Sequence, residues 1–361
     1  MPKRIGILTG GGDCPGLNAV IRAAVKHAQG TYGWEVVGIK DGFKGLYEQD
    51  YLQLTRQDTR GILSRGGTIL GSSNRADPYA YPVKAPDGSV VPTDVSEQMR
   101  KHLEYLDLSG LIVIGGDGTM SISKQFADLG SPIVGVPKTI DNDLEATDYT
   151  FGFQTAVEVA TDAIDRLHTT AESHDRIIIC EVMGRYAGWI AMVAGLASGA
   201  DVILVPEIPY DIQRVVKAFH GRAARGVTYS IVCIAEGATP LHGGRSVVAG
   251  SDGTRLEKLG GAGHRLAREI IELSDFDVRV TVLGHVQRGG TPSAFDRVLG
   301  TRYGIAAVDC IERGEFGKVV ALCGTEILAV PMEQAIAKQK LVEPDGELVR
   351  VARACGVEMG G

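Results

Sequence analysis

The segment GGDGT at residues 115 to 119 has residue types suited to binding a polyphosphate. It follows the apolar run LIVI at 111 to 114. Glycines after a buried strand let backbone amides approach a phosphate, and Asp117 offers an oxygen ligand for Mg²⁺. Gly118 leaves room beside the inner phosphate of a nucleotide, whereas an acidic side chain there would repel it and fit a shorter donor. We therefore predict a site for a phosphoryl donor. The alternative is a plain strand-to-helix turn with an N-capping aspartate.

The segment PKTIDND at residues 137 to 143 places two carboxylates around an amide and behind a lysine. Asp141 is the better candidate for a general base that deprotonates a hydroxyl, and Asp143 for positioning a metal ion. Lys138 would put a positive charge near the transferred phosphoryl group. An ordinary Asp/Asn turn and a surface lysine pair are the alternatives. Together the two segments predict phosphoryl transfer.

Several other polar residues follow predicted strands. Arg185, in MGRYAG at 183 to 188, could offset charge that develops on the phosphoryl oxygens. Arg176 begins a strand instead of ending one, so it would act from a different direction. GGGDCPG at 10 to 16 could face phosphate or form only a tight turn. Groups for an anionic sugar phosphate are Glu236, Arg279, His285, Gln287 and Arg288, with a buried core histidine as the alternative for His285.

The composition of the chain excludes several classes of function. Its 361 residues are 44% hydrophobic and 22% charged, which is typical of a globular protein. The net charge of -7 contains no long block of one sign, so we expect no nucleic-acid or membrane-surface partner. No apolar run approaches the roughly 20 residues that a membrane helix needs. The six scattered cysteines are predicted to be reduced and buried, and a cytoplasmic location is expected.

Short β-branched runs alternate with helical segments along the chain. This rhythm predicts an α/β fold whose mostly parallel sheets are covered by helices on both faces, with ligand sites at the carboxyl ends of strands. About nine such strands favour two α/β lobes with a cleft between them. Four further predictions are a helix from Asn18 to Gln29, an irregular excursion at 76 to 95, a loop at 237 to 263 before a helix near Ala262, and an amphipathic helix at 332 to 344.

These strings, in this order, closely resemble the 6-phosphofructokinase family over about the first 330 residues. Each long motif is specific, and their co-occurrence makes chance negligible. The motifs that carry the resemblance are GGGDCPGLNA, DGFKGL at 41 to 46, RGGTILGSS at 65 to 73, GGDGT, PKTIDND, TDYTFGF at 147 to 153, EVMGRYAGW, AEG and LGHVQRGGTPSAFDR.

The resemblance implies two three-layer α/β lobes with the active site in the cleft between them. The larger, ATP-binding lobe would comprise residues 1 to 152 and 287 to 337, and the smaller, sugar-phosphate-binding lobe residues 153 to 286 and 338 to 361. Identical subunits, in a dimer or tetramer, would share sites across an interface. The implied reaction is transfer of the γ-phosphoryl group of MgATP to the 1-hydroxyl of fructose 6-phosphate, a step of glycolysis.

The resemblance also implies a role for each matching residue. Asp141 would be the base, and Thr139 and Arg185 would contact the transferred group. Asp117 would bind Mg²⁺. The nucleotide would lie on Gly11, Gly12, Gly116, Asp117, Gly118 and Thr119. Fructose 6-phosphate would be held by Met183, Gly184, Glu236, His285 and Arg288, with Arg176 and Arg279 reaching its 6-phosphate from the neighbouring subunit.

The residues that select the donor are mixed. In this family a glycine at the position of Gly118 goes with ATP, while a lysine at the position of Lys138 is typical of pyrophosphate enzymes. We weigh Gly118 more heavily, since it decides whether the inner phosphates fit. Arg75 is predicted to contact the donor, with Asn74 as its alternative because that stretch is one residue longer than usual. The alternative functions are a pyrophosphate-dependent enzyme and a catalytically silent sugar-phosphate sensor.

Overall fold

The computed structural model describes residues 2–249 and 258–361, and the chain divides into two compact units. The first unit comprises the chain up to Ile140 together with Leu144–Gln154 and Arg288–Gln339. The second comprises Asp141–Asp143, Thr155–Gln287 and Lys340–Gly361. The nucleotide and sugar-phosphate roles assigned to the two lobes remain predictions.

Strands and helices alternate along the described chain. The strands are β1 (Arg4–Thr9), β2 (Glu35–Ile39), β3 (Tyr51–Leu54), β4 (Tyr81–Lys84), β5 (Val90–Thr93), β6 (Gly110–Gly115), β7 (Ile133–Pro137), β8 (Ile177–Val182), β9 (Val202–Leu204), β10 (Ser230–Ala235), β11 (Val247–Ala249), β12 (Lys258–Leu259), β13 (Val278–Val282), β14 (Lys318–Cys323) and β15 (Glu326–Pro331). The helices are α1 (Leu17–His27), α2 (Phe43–Glu48), α3 (Ser96–Tyr105), α4 (Asp117–Asp128), α5 (Phe153–Ser173), α6 (Trp189–Ala197), α7 (Ile212–Ala223), α8 (Ala262–Leu273), α9 (Ala294–Glu312), α10 (Met332–Ile336) and α11 (Glu347–Ala354).

The first unit is built on a seven-stranded sheet in the order β15-β14-β7-β6-β1-β2-β3. The five strands from β14 to β2 are parallel, and the two edge strands are antiparallel. Strands β6 and β7 are buried at every position, as expected for parallel strands covered on both faces. Their carboxyl ends, together with that of β1, therefore form one edge of the sheet from which loops can project.

Helix α1, which follows the GGGDCPG segment, is held against the long helix α9. A Cβ on Gly304 would lie 2.5 Å from the backbone oxygen of Val20 and 2.9 Å from Ala23 Cβ, so only glycine allows the two backbones this separation. The contact holds α1 against α9 at Val20 and Ala23, and the glycine-rich segment connects this helix to β1. The glycine-rich loop is thereby attached at both ends to rigid elements.

The second unit has a four-stranded, fully parallel sheet in the order β13-β8-β10-β9. Its core includes Ile179, Ile234, Leu266 and Phe219, all at most 2% exposed. Near the carboxyl terminus, Glu358 lies alongside Val202 of the edge strand β9 in a parallel bridge. The end of the chain thus covers the backbone of that edge strand.

The structure confirms the α/β fold with mostly parallel sheets, and the helix predicted near Ala262 begins at that residue. The prediction of an irregular excursion at 76 to 95 is wrong, because β4 and β5 form an antiparallel hairpin within it. The helix predicted for 332 to 344 ends at Ile336. Helix α1 ends at His27, and a π-helical turn, Ala28–Tyr32, follows it. The predicted loop at 237 to 263 contains β11 and β12, and its residues 250–257 lie outside the described residues.

Four of the six cysteines are buried, but Cys323 is only half-buried and Cys355 is exposed, so the prediction of uniformly buried thiols was wrong for these two. Cys323 is the last residue of β14, and Cys355 directly follows α11. Burial raises the pKa of the Cys14 thiol to about 12, which keeps this cysteine of the GGGDCPG segment protonated and unreactive. No helix among residues 2–249 and 258–361 is both long and apolar enough to cross a membrane.

Candidate active site

Three predicted segments meet at one edge of the first unit's sheet. Strands β1, β6 and β7 are neighbours and end at Thr9, Gly115 and Pro137. The amide of Gly10 donates to the carbonyl of Ile114 at 2.8 Å, and the amide of Lys138 donates to the carbonyl of Gly115 at 2.9 Å. These bonds continue the sheet one residue beyond each strand. GGGDCPG, GGDGT and the start of PKTIDND therefore lie side by side, as predicted from their positions after strands.

The glycines of the first loop allow close contact with the second. A Cβ on Gly10 would lie 2.9 Å from Thr119 Oγ1, so a larger residue would displace the threonine. Gly11 has a φ of 76°, and its amide donates to the carbonyl of Ser73 at 3.0 Å. The hydroxyl of Ser72 donates to the carbonyl of Gly11 at 2.5 Å. The segment RGGTILGSS thus supports the glycine loop, a role that sequence reasoning missed although the motif carries part of the family resemblance.

Lys138 is not the exposed surface lysine considered as an alternative. Its side chain belongs to a residue that is only 4% exposed, and its amine donates to the backbone carbonyl of Gly12. The amine also lies 3.4 Å from the position that a Cβ on Gly11 would take. A cation is therefore fixed against the two glycines predicted to cradle phosphate, where it can act as a point charge for an anion.

Asp117 and Gly118 form the exposed first turn of α4. The residue that caps the helix is Gly116, so Asp117 is not the N-cap that the structural alternative required. The carboxylate of Asp117 accepts the amide of Gly118 at 2.7 Å and is otherwise directed to the surface. No heavy atom outside the neighbouring residues lies within 4 Å of where a Cβ on Gly118 would be. The start of α4 therefore offers an open position for phosphate oxygens at the positive end of the helix dipole.

The residues around Asp117 fit a magnesium ion that is held mainly by its nucleotide. Among the described residues no group of three or more His, Cys, Asp or Glu side chains could hold a metal ion. Mg²⁺ commonly keeps several waters and binds one or two carboxylates together with substrate phosphates. One exposed carboxylate beside a phosphate-binding helix start is sufficient for that arrangement.

Arg288 and Arg75, two predicted contact residues of the first unit, have different surroundings. The guanidinium of Arg288 donates to the carbonyl of Asp13 at 3.0 Å, so this arginine lies against the GGGDCPG segment. Its predicted neighbours His285 and Gln287 belong to the second unit. Asn74 and Arg75 are both exposed, and the choice between them stays a prediction.

A second group of predicted residues meets at the carboxyl edge of the second unit's sheet. Strands β8, β10 and β13 are neighbours and lead into Met183–Arg185, Glu236 and His285. The amide of Glu236 donates to the carbonyl of Val182 at 2.9 Å, and the amide of Gly237 donates to that of Gly184 at 3.0 Å. The side chains predicted to bind a sugar phosphate are thereby brought to one edge.

Gln287 holds two of these loops together. It is fully buried, its side-chain oxygen accepts the amide of Met183 at 3.4 Å, and its side-chain nitrogen donates to the carbonyl of Gly284 at 3.1 Å. His285, between the two contacts, is exposed, so the alternative of a core histidine was wrong. Sequence reasoning placed Gln287 among ligand groups, whereas its contacts position the loops that carry them.

Glu181 is a buried carboxylate that sequence reasoning missed. It lies within β8 at 2% exposure and accepts amides from Gly261 at 3.1 Å and Gly263 at 2.8 Å at the start of α8. Hydrogen bonds to a charged group contribute about 1.5–3 kcal/mol each, which offsets part of the cost of burial. A signal was available, since an acidic residue interrupts the apolar strand RIIICEV.

Arg176 and Arg279 lie elsewhere in the second unit. Both contact Asp277, Arg176 through a 2.7 Å bond from Nε and Arg279 through Nη1. Hydrogen bonding from Arg176, with the charge of Arg279, holds the pKa of Asp277 below its ordinary value. Arg176 precedes β8 and therefore lies at the end of the sheet opposite to Arg185. Within one chain these two arginines do not join the other predicted sugar-phosphate residues.

The carboxylates of TIDND flank a tight turn. Asn142 is buried and has a φ of 51°, a left-handed conformation that asparagine tolerates. Asp141 and Asp143 on either side are half-buried, and the carbonyl of Asp143 accepts the amide of Lys340 at 2.9 Å. In the first unit, the carbonyl of Thr139 accepts the hydroxyl of Thr150 at 2.7 Å. The Asp/Asn turn considered as an alternative is therefore present, and it carries two acidic side chains, one on each side of Asn142.

Comparisons with known proteins agree with this geometry. The family model described as phosphofructokinase matches residues 4–311. The chain is 50% identical, over 99% of its length and 98% of the relative's, to an ATP-dependent 6-phosphofructokinase of Chloroflexus aggregans. It is 51% identical, over 94% of its length and 96% of the relative's, to a pyrophosphate–fructose 6-phosphate 1-phosphotransferase of Streptomyces coelicolor.

A solved structure of similar fold is phosphofructokinase from Saccharomyces cerevisiae, with a TM-score of 0.76 and 29% identity. The match covers 98% of the present chain and 46% of the yeast chain, so the present chain spans slightly under half of that protein's length. The matched family model and the relatives at about 50% identity together cover the sheet edges described above. The chain belongs to the phosphofructokinase family.

Proposed function

We propose that this chain is an ATP-dependent 6-phosphofructokinase, which transfers the γ-phosphoryl group of MgATP to the 1-hydroxyl of fructose 6-phosphate and releases fructose 1,6-bisphosphate and ADP. The observation that carries the proposal is the adjacency of GGGDCPG, GGDGT and Lys138 at the carboxyl ends of β1, β6 and β7. Family membership and the ATP-dependent names of several relatives support it.

In this proposal the first unit binds the donor. Gly11, Gly12 and the segment Gly116–Thr119 would cradle its phosphates, with Arg75 at the margin. Asp117 would hold Mg²⁺, which neutralises charge on the phosphate oxygens when it is bound. The exposed, open surroundings of Gly118 leave space for the inner phosphates of ATP. Lys138 would stabilise charge on the group in transfer.

The second unit contributes the base and most of the sugar-binding groups, whereas Thr139 and Arg288 belong to the first unit. Asp141 would accept the proton of the 1-hydroxyl as that oxygen attacks phosphorus, with Asp143 helping to position the metal ion. Arg185 and Thr139 would contact the transferred phosphoryl oxygens and stabilise their charge. Fructose 6-phosphate would be bound by Met183, Gly184, Glu236, His285 and Arg288. The assembly of these residues into a single cleft is part of the proposal.

Arg176 and Arg279 complete the proposal through a second subunit. Their place at the opposite end of the sheet is compatible with reaching the 6-phosphate bound by a neighbouring copy. We therefore propose a homo-oligomer, a dimer or tetramer, with active sites shared across the interface, working in the cytoplasm. The 6-phosphate would be neutralised by two guanidinium groups, which bind phosphate in a bidentate geometry.

A pyrophosphate-dependent phosphofructokinase is the second candidate, and Lys138 favours it. Its buried amine beside Gly11 and Gly12 would neutralise a compact donor that brings no adenine contacts. Relatives named as pyrophosphate enzymes are as similar to the chain as those named as ATP enzymes. The open position at Gly118 supports ATP as the donor instead, because it leaves room for the inner phosphates of a nucleotide.

The donor is tested by assaying the purified chain with fructose 6-phosphate and either MgATP or magnesium pyrophosphate, with formation of fructose 1,6-bisphosphate as the readout. We expect turnover with ATP and at least a tenfold lower kcat/KM with pyrophosphate. Turnover with pyrophosphate alone would establish the second candidate. Calorimetric binding of fructose 6-phosphate without turnover on either donor would instead identify a catalytically silent sensor.

A further inference from the structure

The segment Lys340–Val342, near the carboxyl terminus, contacts two loops that carry proposed catalytic residues. We propose that this tail segment, together with Trp189 and Glu207, is a positioning device that fixes the Asp141–Asp143 turn relative to the loop bearing Arg185. The inference rests on the proposed function for its catalytic consequence. Its structural part concerns the second unit alone and can be tested separately.

The tail segment is bound through its backbone to both loops. The amide of Lys340 donates to the carbonyl of Asp143 at 2.9 Å. The carbonyl of the same residue accepts the indole N–H of Trp189 at 2.8 Å. Trp189 directly follows the MGRYAG segment and opens α6. Lys340 thus donates a hydrogen bond to the acidic turn and accepts one from the residue that follows the arginine loop.

Glu207 forms a second connection between the tail segment and the arginine loop. One carboxylate oxygen accepts the amide of Gly188 at 2.9 Å and the amide of Val342 at 2.8 Å. Val342 is 2% exposed, so its amide would lack a partner without this acceptor. A Cβ on Gly188 would lie 2.5 Å from Val205 and 2.9 Å from the carboxylate, so the loop is tightly seated there.

Both connections join the tail segment to the end of the loop that bears Arg185, and the first also joins it to the Asp141–Asp143 turn. Lys340 and Val342 are separated by one residue in a segment that belongs to no helix or strand, so the acidic turn, the indole and the carboxylate are linked through a short piece of backbone. A general base must lie within hydrogen-bonding distance of its proton, and small displacements reduce kcat strongly. Loss of one connection should therefore lower kcat more than it changes either KM.

The test uses four single variants: Trp189→Phe, Glu207→Ala, Glu207→Gln and Trp34→Phe. Trp189→Phe removes the indole donor and Glu207→Ala removes the acceptor, whereas Glu207→Gln keeps one oxygen that can accept both amides. Trp34→Phe is a matched control, because Trp34 is the other of the two tryptophans, is buried in the first unit and stacks on Tyr32. Each variant is assayed for kcat and both KM values, and its thermal unfolding is recorded.

We expect Trp189→Phe and Glu207→Ala to lower kcat roughly five- to tenfold, which corresponds to loss of about one hydrogen bond, with both KM values within about twofold of the parent. Glu207→Gln and Trp34→Phe should keep kcat. Wild-type kcat in folded Trp189→Phe and Glu207→Ala would overturn the proposal. An equal loss in Glu207→Gln and Glu207→Ala would also overturn it, because the acceptor would then not be what matters.

A spectroscopic readout separates this inference from the proposed function. In the Trp34→Phe background Trp189 is the sole tryptophan, so its emission reports the surroundings of the tail segment. Adding Glu207→Ala should shift that emission to the red and increase quenching by acrylamide, while Glu207→Gln should leave both unchanged. Absence of any shift on Glu207→Ala overturns the proposed connection. If the parent protein transfers phosphate from neither donor, the proposed function fails while this readout still decides the inference.

Discussion

The two units recognise their proposed ligands with different parts of the chain. At the edge of the first sheet these parts are mainly the glycine backbone of Gly11, Gly12 and the start of α4, supplemented by one buried amine. At the edge of the second sheet they are side chains, on loops whose backbone is held by polar side chains such as Gln287 and Glu207. Backbone recognition suits phosphate, a ligand common to all donors. Side-chain recognition suits one sugar and its proton.

This difference has an energetic consequence. A glycine loop is held by backbone hydrogen bonds of the sheet, which do not depend on side chains. Its affinity for a phosphoryl donor therefore depends on which side chains are absent, as at Gly118. A side-chain site must hold its loops in place, and Glu207, which accepts the amides of Gly188 and Val342, does this. Substitutions at the Asp141 turn should therefore change kcat, while a substitution at Gly118 should change donor preference.

The largest effect is expected for Asp141→Asn. Removing the proposed base should lower kcat by roughly 10²- to 10⁴-fold and leave both KM values nearly unchanged. A steady-state assay with fructose 6-phosphate and MgATP checks this. Asp162→Asn, which alters an exposed pair with Arg166 on α5, is the control and should keep full activity. A kcat for Asp141→Asn within tenfold of the parent would remove Asp141 from the role of base.

Gly118→Asp should have the next largest effect. No heavy atom outside the neighbouring residues and the local helix backbone lies within 4 Å of the Cβ position, so the variant should fold normally. Its charge would lie beside the inner phosphates of ATP, where two like charges about 4 Å apart repel by roughly 1–4 kcal/mol, or about five- to several-hundredfold in kcat/KM. The kcat/KM for pyrophosphate should fall far less. Equal losses with both donors would contradict the role given to Gly118.

A smaller effect tests whether sites are shared between subunits. Arg176→Ala should raise the KM for fructose 6-phosphate at least tenfold. If Arg176 acts on a neighbour's site, mixing it with inactive Asp141→Asn and allowing subunit exchange should restore about a quarter of wild-type activity, because half of the dimers are hybrids with one intact site of two. No recovery after exchange, verified by mass spectrometry of differently labelled subunits, would place Arg176 outside a shared site.

The smallest effect concerns stability and pH. Burial raises the pKa of the Glu207 carboxyl above its ordinary value of 4.5, although amides of Gly188 and Val342 oppose the shift. The folded state thus binds this proton more tightly than the unfolded state, so the stability it contributes is complete below pH 4.5 and is lost as pH rises through the folded pKa. Glutamine does not titrate. The free energy of unfolding of Glu207→Gln relative to wild type should therefore rise with pH in this range, measured by urea denaturation.

Much of the fold could be predicted from the sequence because its signals are local. The apolar runs before GGDGT and MGRYAG specify buried parallel strands, and the residues directly after parallel strands lie at one edge of the sheet. The residues of the candidate site were found for the same reason. Their roles stay predictions.

Other features depend on long-range contacts that no local pattern carries. The tail after Ile336 has a helical pattern, yet Lys340–Val342 form no helix, because Asp143, Trp189 and Glu207 offer their backbone partners distant in sequence. The hairpin of β4 and β5 lies in a stretch rich in proline, which usually argues against strands except at exposed edges. The positioning roles of Gln287 and Glu181 likewise arise only when separate strands become neighbours.

The empty surroundings of Gly118 bear on how this enzyme family diversifies. An aspartate codon is one nucleotide from a glycine codon, and at this position the change would disturb no packing. Selection could therefore exchange ATP for pyrophosphate as the phosphoryl donor without first restoring the stability of the fold. Relatives about half identical to this chain bear both kinds of name, in keeping with such an exchange.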